Sequence, residues 1–456
     1  MQRLGLIFVV AIGIWGCGSD DSPDEGEPFD GQAGVQPSGQ DTTDRLTTGV
    51  RLQDEWVTSA LEQQEAHAAI RSKLQAVVDV HSTNVTPAAV MADLFDRAGV
   101  AWRLDRDALE YEGVNLDDQK SAVTLQLDAV PIEAVLDLVC RTPMLVWEIR
   151  DGQVLVTTES ALDERTDNVA VFSLAGLISS SRIETPRPPN PNAHRQTRDP
   201  AEVVAESVAD LLTMLPGHHW KVVDGEGGRI ETVRGHLVVR ATYRAVVDVG
   251  QMLAVLELGA AGRLSGGSLS VRRPGYRFEA DEAVRSVLLK TVGAVQLENQ
   301  PLNEVLKQLA ARLGVQIWLD EADLQDEGLQ VTTAVTLVSG GDLQARILLE
   351  QLLDPISLTY VVDEGLLKVT TLVAAEEWLV MRVYDVGDLR RLGVSEAKLI
   401  SLLESMTAGP WEELEGTGGT MGFFSTNLMC VAQMPAVHDQ IASLLARLRK
   451  TLNGDR

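Results

Sequence analysis

Internal repetition constrains this chain more than any other feature. The segment Val90 to Gly113, containing AGVAWRLDRDALEYEG, is matched by Val305 to Gly328, containing LGVQIWLDEADLQDEG. Each holds an amphipathic helix ending near a glycine (Gly99, Gly314), then an apolar strand with a Trp that ends in Leu-Asp, then an acidic stretch closing in Glu-Gly. Next, VTLQLDAVPIEAVLDLV from Val123 is matched by VTLVSGGDLQARILLEQLL from Val335. LVWEIRDGQVLVTT (145–158) is matched by LTYVVDEGLLKVTT (358–371). These read as a strand, a turn and a helix, followed by two alternating strands joined at a Gly-containing turn. A chain of 456 residues that repeats such short elements folds as tandem small units, because each repeat is one supersecondary structure and not a share of one large core.

A further unit follows each of these. VAVFSLAGLI near Val169 corresponds to LVMRVYDVGDL near Leu379, and a helix follows each, from Ala201 and from Ser395. Trp220 in WKVVDGEGG and Trp411 in WEELEGTGG then place Trp, acidic residue, Gly and Gly-Gly at the same spacing. A strand and a closing helix complete each copy, from Gly235 and Ala245 in the first and from Asn427 and Ala436 in the second. The expected fold class is therefore α+β, with tandem small β-α-β-β-α-β and helix-hairpin-helix modules, internally duplicated. The first copy carries an insertion, Ser179 to Pro200, rich in Pro, Asn and Arg and expected as an exposed loop. Gly259 to Gly275 is Gly and Ser rich and is expected to be a linker, while 54–77 has helical periodicity and should pack on the first module or project from it.

The start of the chain has a second kind of pattern. Met1-Gln2-Arg3, the apolar run Leu4 to Trp15 and Gly16-Cys17 follow the charged, hydrophobic, small-residue order of a secretory signal peptide. Ile14-Trp15-Gly16-Cys17 resembles the bacterial lipobox, with Ile14 and Gly16 fitting it and the bulky Trp15 departing from it. That resemblance implies cleavage before Cys17, acylation of its sulfur and a periplasm-facing membrane lipoprotein, the outer membrane favoured because Gly18 and Ser19 are not Asp. The acidic, Gly- and Pro-containing stretch from 18 to 50 is expected to be a disordered tether. The expected division is thus 1–17 signal peptide and lipobox, 18–50 tether, 51–76 helix, 77–160 and 161–258 the two modules of the first copy, 259–282 linker, and 283–373 and 374–456 those of the second.

Asp and Glu number 66 against 39 Lys and Arg, a formal charge of −27 that repels phosphate backbones and excludes nucleic acid as a partner. Cys140 and Cys430 fall in a helix and a strand at non-equivalent places, so buried free thiols are expected and a disulfide is not. No residue set points to catalysis, a metal or a cofactor. Ser395 and Lys398 form an SxxK, yet the companion elements of serine acyl-enzymes are missing and Ser395 stands where a helix should begin, so an N-cap is expected. His218, His219 and His236 lack further ligands at metal spacing and are expected as surface histidines; His438 lies early in a helix with no visible partner. Gly225-Glu226-Gly227-Gly228 and Gly416-Thr417-Gly418-Gly419 lack a P-loop lysine and should serve hairpin geometry. Asp105 with Asp107, and Asp320 with Asp323, lack the alternation of a calcium loop and should start helices. Trp102, Trp147, Trp220, Trp318 and Trp411 are expected chiefly as core.

The order strand, helix, strand, strand, helix, strand, with a PIEAVLDLV-type helix start and the hairpin WEIRDGQVLVTT, resembles the short N-terminal module shared by secretins and TonB-dependent receptors. The helix, Trp/Gly-Gly hairpin and helix that follow look like ring-building and secretin-N domains. The resemblance spans about residues 77 to 258 and 283 to 450 and implies non-enzymatic docking domains of the periplasm. Eight residues follow Leu448, so no β-barrel segment is expected and the chain should not be the channel itself. The function implied is a non-catalytic envelope lipoprotein serving as a protein-interaction or scaffold component associated with a secretin-type secretion or pilus machine, with unidentified envelope proteins as partners and no cofactor. The alternative is a cell-wall-directed hydrolase or small-ligand binding protein with a cleft between the duplicated halves. A cleft holding two carboxylates at glycosidase separation would favour the hydrolase, and the scaffold reading expects none.

Overall fold

The computed structural model describes Val9–Val10, Trp56–Val57 and residues 61–454, apart from 118–121, 142–143, 167, 181–198, 265–266, 273–275, 416 and 426. Cys17, the acidic tether and most of the inserted loop thus lie outside the described residues. The fold is α+β, built from small sheets, and its order of elements runs twice.

In the leading unit of the first copy, the helices Pro87–Ala98 and Ile132–Arg141 pack on each other and on two sheets. One sheet pairs Val77–Val85 with Val123–Pro131, antiparallel. The other places Gln153–Thr158 between Trp102–Leu104, parallel to it, and Leu145–Arg150, antiparallel. The second copy repeats both: Val295–Pro301 pairs with Ala334–Ser339, and Leu366–Thr371 lies between Gln316–Leu319 and Leu358–Asp363. Local chemistry explains the boundaries. Pro87 occupies the first turn, where no helix hydrogen bond is lost, and Gly99 and Gly314 close their helices in the left-handed conformation. The hairpins turn at Asp151-Gly152 and Glu364-Gly365, each with both residues at positive φ, the two-residue turn whose twist matches the flanking strands.

The helix Leu61–Leu74 does not project. It seals the first leading unit with Ile70 and Leu74, and Phe278–Leu288 plays the same part in the second through Val284 and Leu288. The duplication therefore includes a leading helix, which the sequence comparison did not pair. The stretch 259–282, expected as a linker, contains the start of that second helix. It also contains a strand, Ser268–Ser270, which adds to the edge of Val380–Asp385 in the trailing unit of the second copy. Leu264 and Leu269 pack on the core and Val271 is buried in it, so these residues tie the copies together as well as connecting them.

Each trailing unit is a three-stranded antiparallel sheet with its last strand in the middle, under two helices. The first orders Asn168–Ser173, His236–Ala241, Arg229–Val233, and in the uncleaved chain Val9–Val10 and Trp56–Val57 extend it beyond Asn168–Ser173; cleavage before Cys17 would remove Val9–Val10. The second orders Val380–Asp385, Leu428–Gln433, Thr420–Phe424. Trp220 and Trp411 are buried and each forms a bridge to the second glycine of its Gly-Gly pair, Gly228 and Gly419. A Cβ on Gly228 would stand 2.9 Å from the Trp220 ring, and one on Gly227, where φ is +86°, would stand 2.3 Å from the His219 carbonyl oxygen. In both copies the first glycine of the pair passes under a carbonyl, of His219 or Pro410, while the second passes against the Trp220 indole in the first copy and against Gln433 in the second.

The two copies differ in how their trailing sheets are buried. Along His236–Ala241 buried and more exposed residues alternate, whereas every residue of Leu428–Gln433 is buried. Met429 and Val431 face the second copy's own helices, while Leu428, Cys430 and Ala432 join a core with Leu211, Leu256 and Phe172 of the first. A strand covered on both faces has no polar positions to alternate, which accounts for the run LMCVAQ.

Replacing Gly227 by Ala should destabilise the protein by about 2 kcal/mol or more, since the methyl meets backbone as well as forcing a left-handed φ. Gly217→Ala, also at positive φ but in open space, should cost only about 1 kcal/mol. Denaturant midpoints of the two variants test this, and equal losses would contradict the close approach.

Candidate functional site at the junction of the copies

The two leading units dock head to tail through surfaces that are not equivalent. From the first, Arg141 at the end of its helix donates from Nε to Asp320 Oδ2 at 2.9 Å and from Nη2 to Asp323 Oδ2 at 3.2 Å. Its guanidinium lies 4.8 Å from the centre of the Trp378 ring. Gln316 clamps the backbone of Asp128, its Oε1 accepting from the Asp128 N–H at 2.7 Å and its Nε2 donating to the carbonyl of the same residue. Arg277 donates to the Ala129 carbonyl. Trp318 and Leu366 complete the contact inside the core of the first unit.

Asp320 is fully buried, and burial followed by the Asp323 charge raises its carboxyl to about 6 even though Arg141 acts in the opposite sense. In the first copy the corresponding Asp105 is served from within its own copy by Arg165 and Thr157, and its carboxyl is held below the ordinary range. Counted from the capping residues Thr158 and Thr371, Arg165 and Trp378 occupy the same place. Copy two has thus exchanged its internal cation for an indole and takes Arg141 from copy one.

Beside this joint lies a cavity of about 250 Å³ to which both copies contribute. The helix Ile132–Arg141 and the strand Leu145–Arg150 supply Glu133, Asp137, Trp147 and Glu148. The other walls carry Arg71, Arg244 and Arg272 with Asp248 and Asp363. Glu133 and Glu148 are almost wholly buried. Trp147 Nε1 donates to Asp137 at 2.8 Å, Arg150 pairs with Glu148 at 3.3 Å, and His218 pairs with Asp248 at 2.8 Å. Asp363 accepts from Tyr276 and Lys368, each at 2.8 Å, and pairs with Arg272 at 3.5 Å. Although burial opposes it, Lys368 and then Arg272 hold its carboxyl well below the ordinary range, while burial drives the Tyr276 phenol far upward. Five carboxylates line this cavity, Glu133, Asp137, Glu148, Asp248 and Asp363.

The other residues singled out in the sequence fall as follows. Ser395 Oγ accepts from the Lys398 N–H and caps its helix. Asp320 caps its own helix through the Asp323 N–H, whereas Asp105 holds the capping position without that bond and Asp107 is exposed. His218 is not a surface residue, its side chain being only 6% exposed; His219 pairs with Asp163, and His236 faces the Arg234 carbonyl. Cys140 and Cys430 are buried free thiols, the latter pushed up to about 12 by burial. Trp102 stacks on Phe95 within its own unit. Trp318 stands one position further from its helix-closing glycine, points to the opposite face of its strand and reaches the other copy.

His438 has partners that its sequence position did not reveal. Its Nε2–H donates to the Val380 carbonyl at 2.7 Å and Nδ1 lies 2.8 Å from the Tyr384 hydroxyl, an arrangement that suits the neutral ring. Burial, followed by the Arg382 charge, holds its pKa down to about 3. Arg141, Tyr276 and Asp363 were also not apparent, and the signal that could have marked Arg141 is a mismatch between the copies, with Asp354 in its place before the equivalent strand.

No protein-family model and no curated protein matches this chain. The solved structure of XcpQN012 aligns with 60% of this chain and 95% of that chain at 11% identity and a TM-score of 0.15, too low a similarity to carry any argument.

Arg141→Ala should cost about 3 kcal/mol at pH 7.5 by leaving a buried carboxylate unpaired. The loss should shrink near pH 5, where Asp320, with its carboxyl raised to about 6, takes up a proton; a loss independent of pH would refute the assignment. His438 acts with the opposite sign. Because its folded pKa lies below the unfolded value near 6.5, the unfolded chain binds the extra proton, so stability falls as pH drops below 6.5, by about 1.4 kcal/mol per unit. Urea titrations at pH 7 and pH 5 should show this decline in the parent, and His438→Gln should flatten it.

Proposed function

We propose that this chain is a non-catalytic envelope lipoprotein that acts as a protein-interaction or scaffold component, anchored through Cys17 and associated with a secretin-type secretion or pilus machine. The observation that carries this reading is the docking of one leading unit on the other through unlike surfaces. Two units of one fold recognise each other by an arginine fork, an amide clamp on backbone and an inserted Trp, so surfaces of this fold are built to hold another protein surface. Sheet edges offer a second means. Arg229–Val233 ends its sheet with Val233 53% exposed, and Val77–Val85 pairs on one side within a two-stranded sheet, so a partner strand could extend either. The resemblance of the leading unit to the docking module of secretins and TonB-dependent receptors supports the same reading.

The cavity supports a second reading, a binding protein for a small ligand.

Crosslinking followed by affinity capture of the intact lipoprotein from its native envelope, beside Cys17→Ala, tests the scaffold reading. The expected result is recovery of secretion or pilus components that disappears with Cys17→Ala. Recovery of cell-wall fragments alone would overturn it.

A further inference from the structure

The outer edge of each trailing sheet is covered by a short strand, but the two covers are not counterparts. In the second copy Ser268–Ser270 lies antiparallel on Val380–Asp385, with Ser268 opposite Tyr384 and Leu269 opposite Val383, and the Val271 N–H donates to the Met381 carbonyl at 2.7 Å. This strand directly precedes the leading helix Phe278–Leu288. In the first copy the strand that precedes the leading helix Leu61–Leu74 is Trp56–Val57, yet Val9–Val10 stands between it and Asn168–Ser173. Val10 lies opposite Phe172, and Phe172 is the counterpart of Tyr384, since Leu237 and Met429 stand opposite them in the matched strands that follow Gly235 and Asn427. Both copies thus cover the same position of the same edge, the second with its own strand and the first with residues of the leader. Cleavage before Cys17 takes Val9–Val10 away and would leave backbone N–H and C=O groups of Asn168–Ser173 unpaired beside the half-buried Val169 and Val171.

We propose that in the cleaved chain Trp56–Val57 moves in by one strand and pairs directly with Asn168–Ser173, so that the first trailing sheet gains the same edge as the second. The direction needs no change. Trp56–Val57 is antiparallel to Val9–Val10, which is parallel to Asn168–Ser173, so it already runs antiparallel to that strand, as Ser268–Ser270 does to Val380–Asp385. The register is also set. Val10 stands opposite both Trp56 and Phe172, so a sideways step brings Trp56 to Phe172 and Val57 to Val171, the places that Ser268 and Leu269 take in the second copy. The step is one strand spacing, about 4.8 Å, and the residues between Val57 and Leu61 span roughly 3.3 Å each, enough to absorb it. Apolar Val57 then takes the position of Leu269, which packs on the shared core. The stretch that leads from Cys17 enters the folded body through this sheet edge, its point of attachment fixed by backbone hydrogen bonds. The proposal rests on the reading of Cys17 as the first residue of the mature lipoprotein.

Disulfide trapping in the full chain tests it. Cys17→Ala keeps the leader attached and removes a stray thiol, a protease site inserted between Gly39 and Gln40 lets the leader be cut off at will, and Val57→Cys with Val171→Cys supplies the pair. Before the cut these positions stand two strands apart, about 9.6 Å, beyond the roughly 7 Å that a disulfide can bridge. After it they should face each other at about 5 Å. The expected result is a disulfide that forms at least tenfold more completely once the leader has been cut and removed. Failure to form after the cut, or equal yield before and after, would overturn the proposal. Hydrogen exchange of the cut chain without the added cysteines gives a second reading: Asn168–Ser173 should stay as protected as before the cut, and exchange tenfold faster there would mean an open edge and overturn it too. The premise is read separately from the mass of the native protein extracted from its own membrane. A leader retained there would sink the lipoprotein reading and leave both strand measurements as they are.

Discussion

A carboxylate with almost no access to water, Asp320, sets the terms for the arrangement of the two copies. Burying such a charge is costly unless a cation and hydrogen bonds come with it, and the second copy lacks the cation that its counterpart in the first copy possesses. Arg141 supplies it from the other copy, held flat by the Trp378 ring and shared with Asp323, which also accepts from Thr370. Without that reach the joint would open onto an unpaired buried charge. With it, Gln316 comes within range of the Asp128 backbone and Trp318 enters the neighbouring core. The joint is therefore specified by charge and finished by packing, and the trailing units bury a much larger shared apolar core around the same relation.

Duplication explains how such a joint can exist inside one chain. Two equal copies would present equal surfaces, and a heterologous contact between them would leave one donor and one acceptor surface open to further copies. Divergence has altered both free surfaces. The first copy has Arg165 to neutralise Asp105 and Arg103 one residue beyond Trp102, and the second has Asp354 where Arg141 stands. A one-position shift of a tryptophan along a short strand moved it from an intramodule stack to an intermodule contact, because successive residues of a strand face opposite sides.

Much of the fold was legible in the sequence because its determinants are local. Glycines after amphipathic helices, alternating Val and Thr strands, the Trp with its Gly-Gly pair and the capping role of Ser395 all act within a few residues of themselves. What could not be read depends on elements distant in sequence. Ser268–Ser270 looks like linker because its composition is Gly and Ser rich, and only the edge of Val380–Asp385 makes it a strand. His218 and His438 read as isolated because their partners Asp248, Tyr384 and Val380 come from other elements. The cavity was illegible for the same reason: Glu133, Asp137 and Glu148 stand in segments whose pattern marks a helix and a hairpin, and only folding brings Asp248 and Asp363 beside them.

The cavity and the joint are mechanically one object. Glu133 and Glu148 belong to the unit whose helix ends in Arg141, while Asp363 and Met381 belong to the second copy, so the walls meet only when the copies are docked. Any molecule that binds the closed cavity binds the docked form alone and must stabilise it by mass action. Conversely, whatever disturbs the Arg141 fork lowers the population that can bind, and the apparent affinity falls by the same fraction. A partner surface that touches both copies would couple to the cavity in the same way without contacting it. In a chain whose two halves are joined by two arginines, one amide clamp and a shared apolar face, recognition at the surface and occupancy at the junction would be coupled through the same contacts.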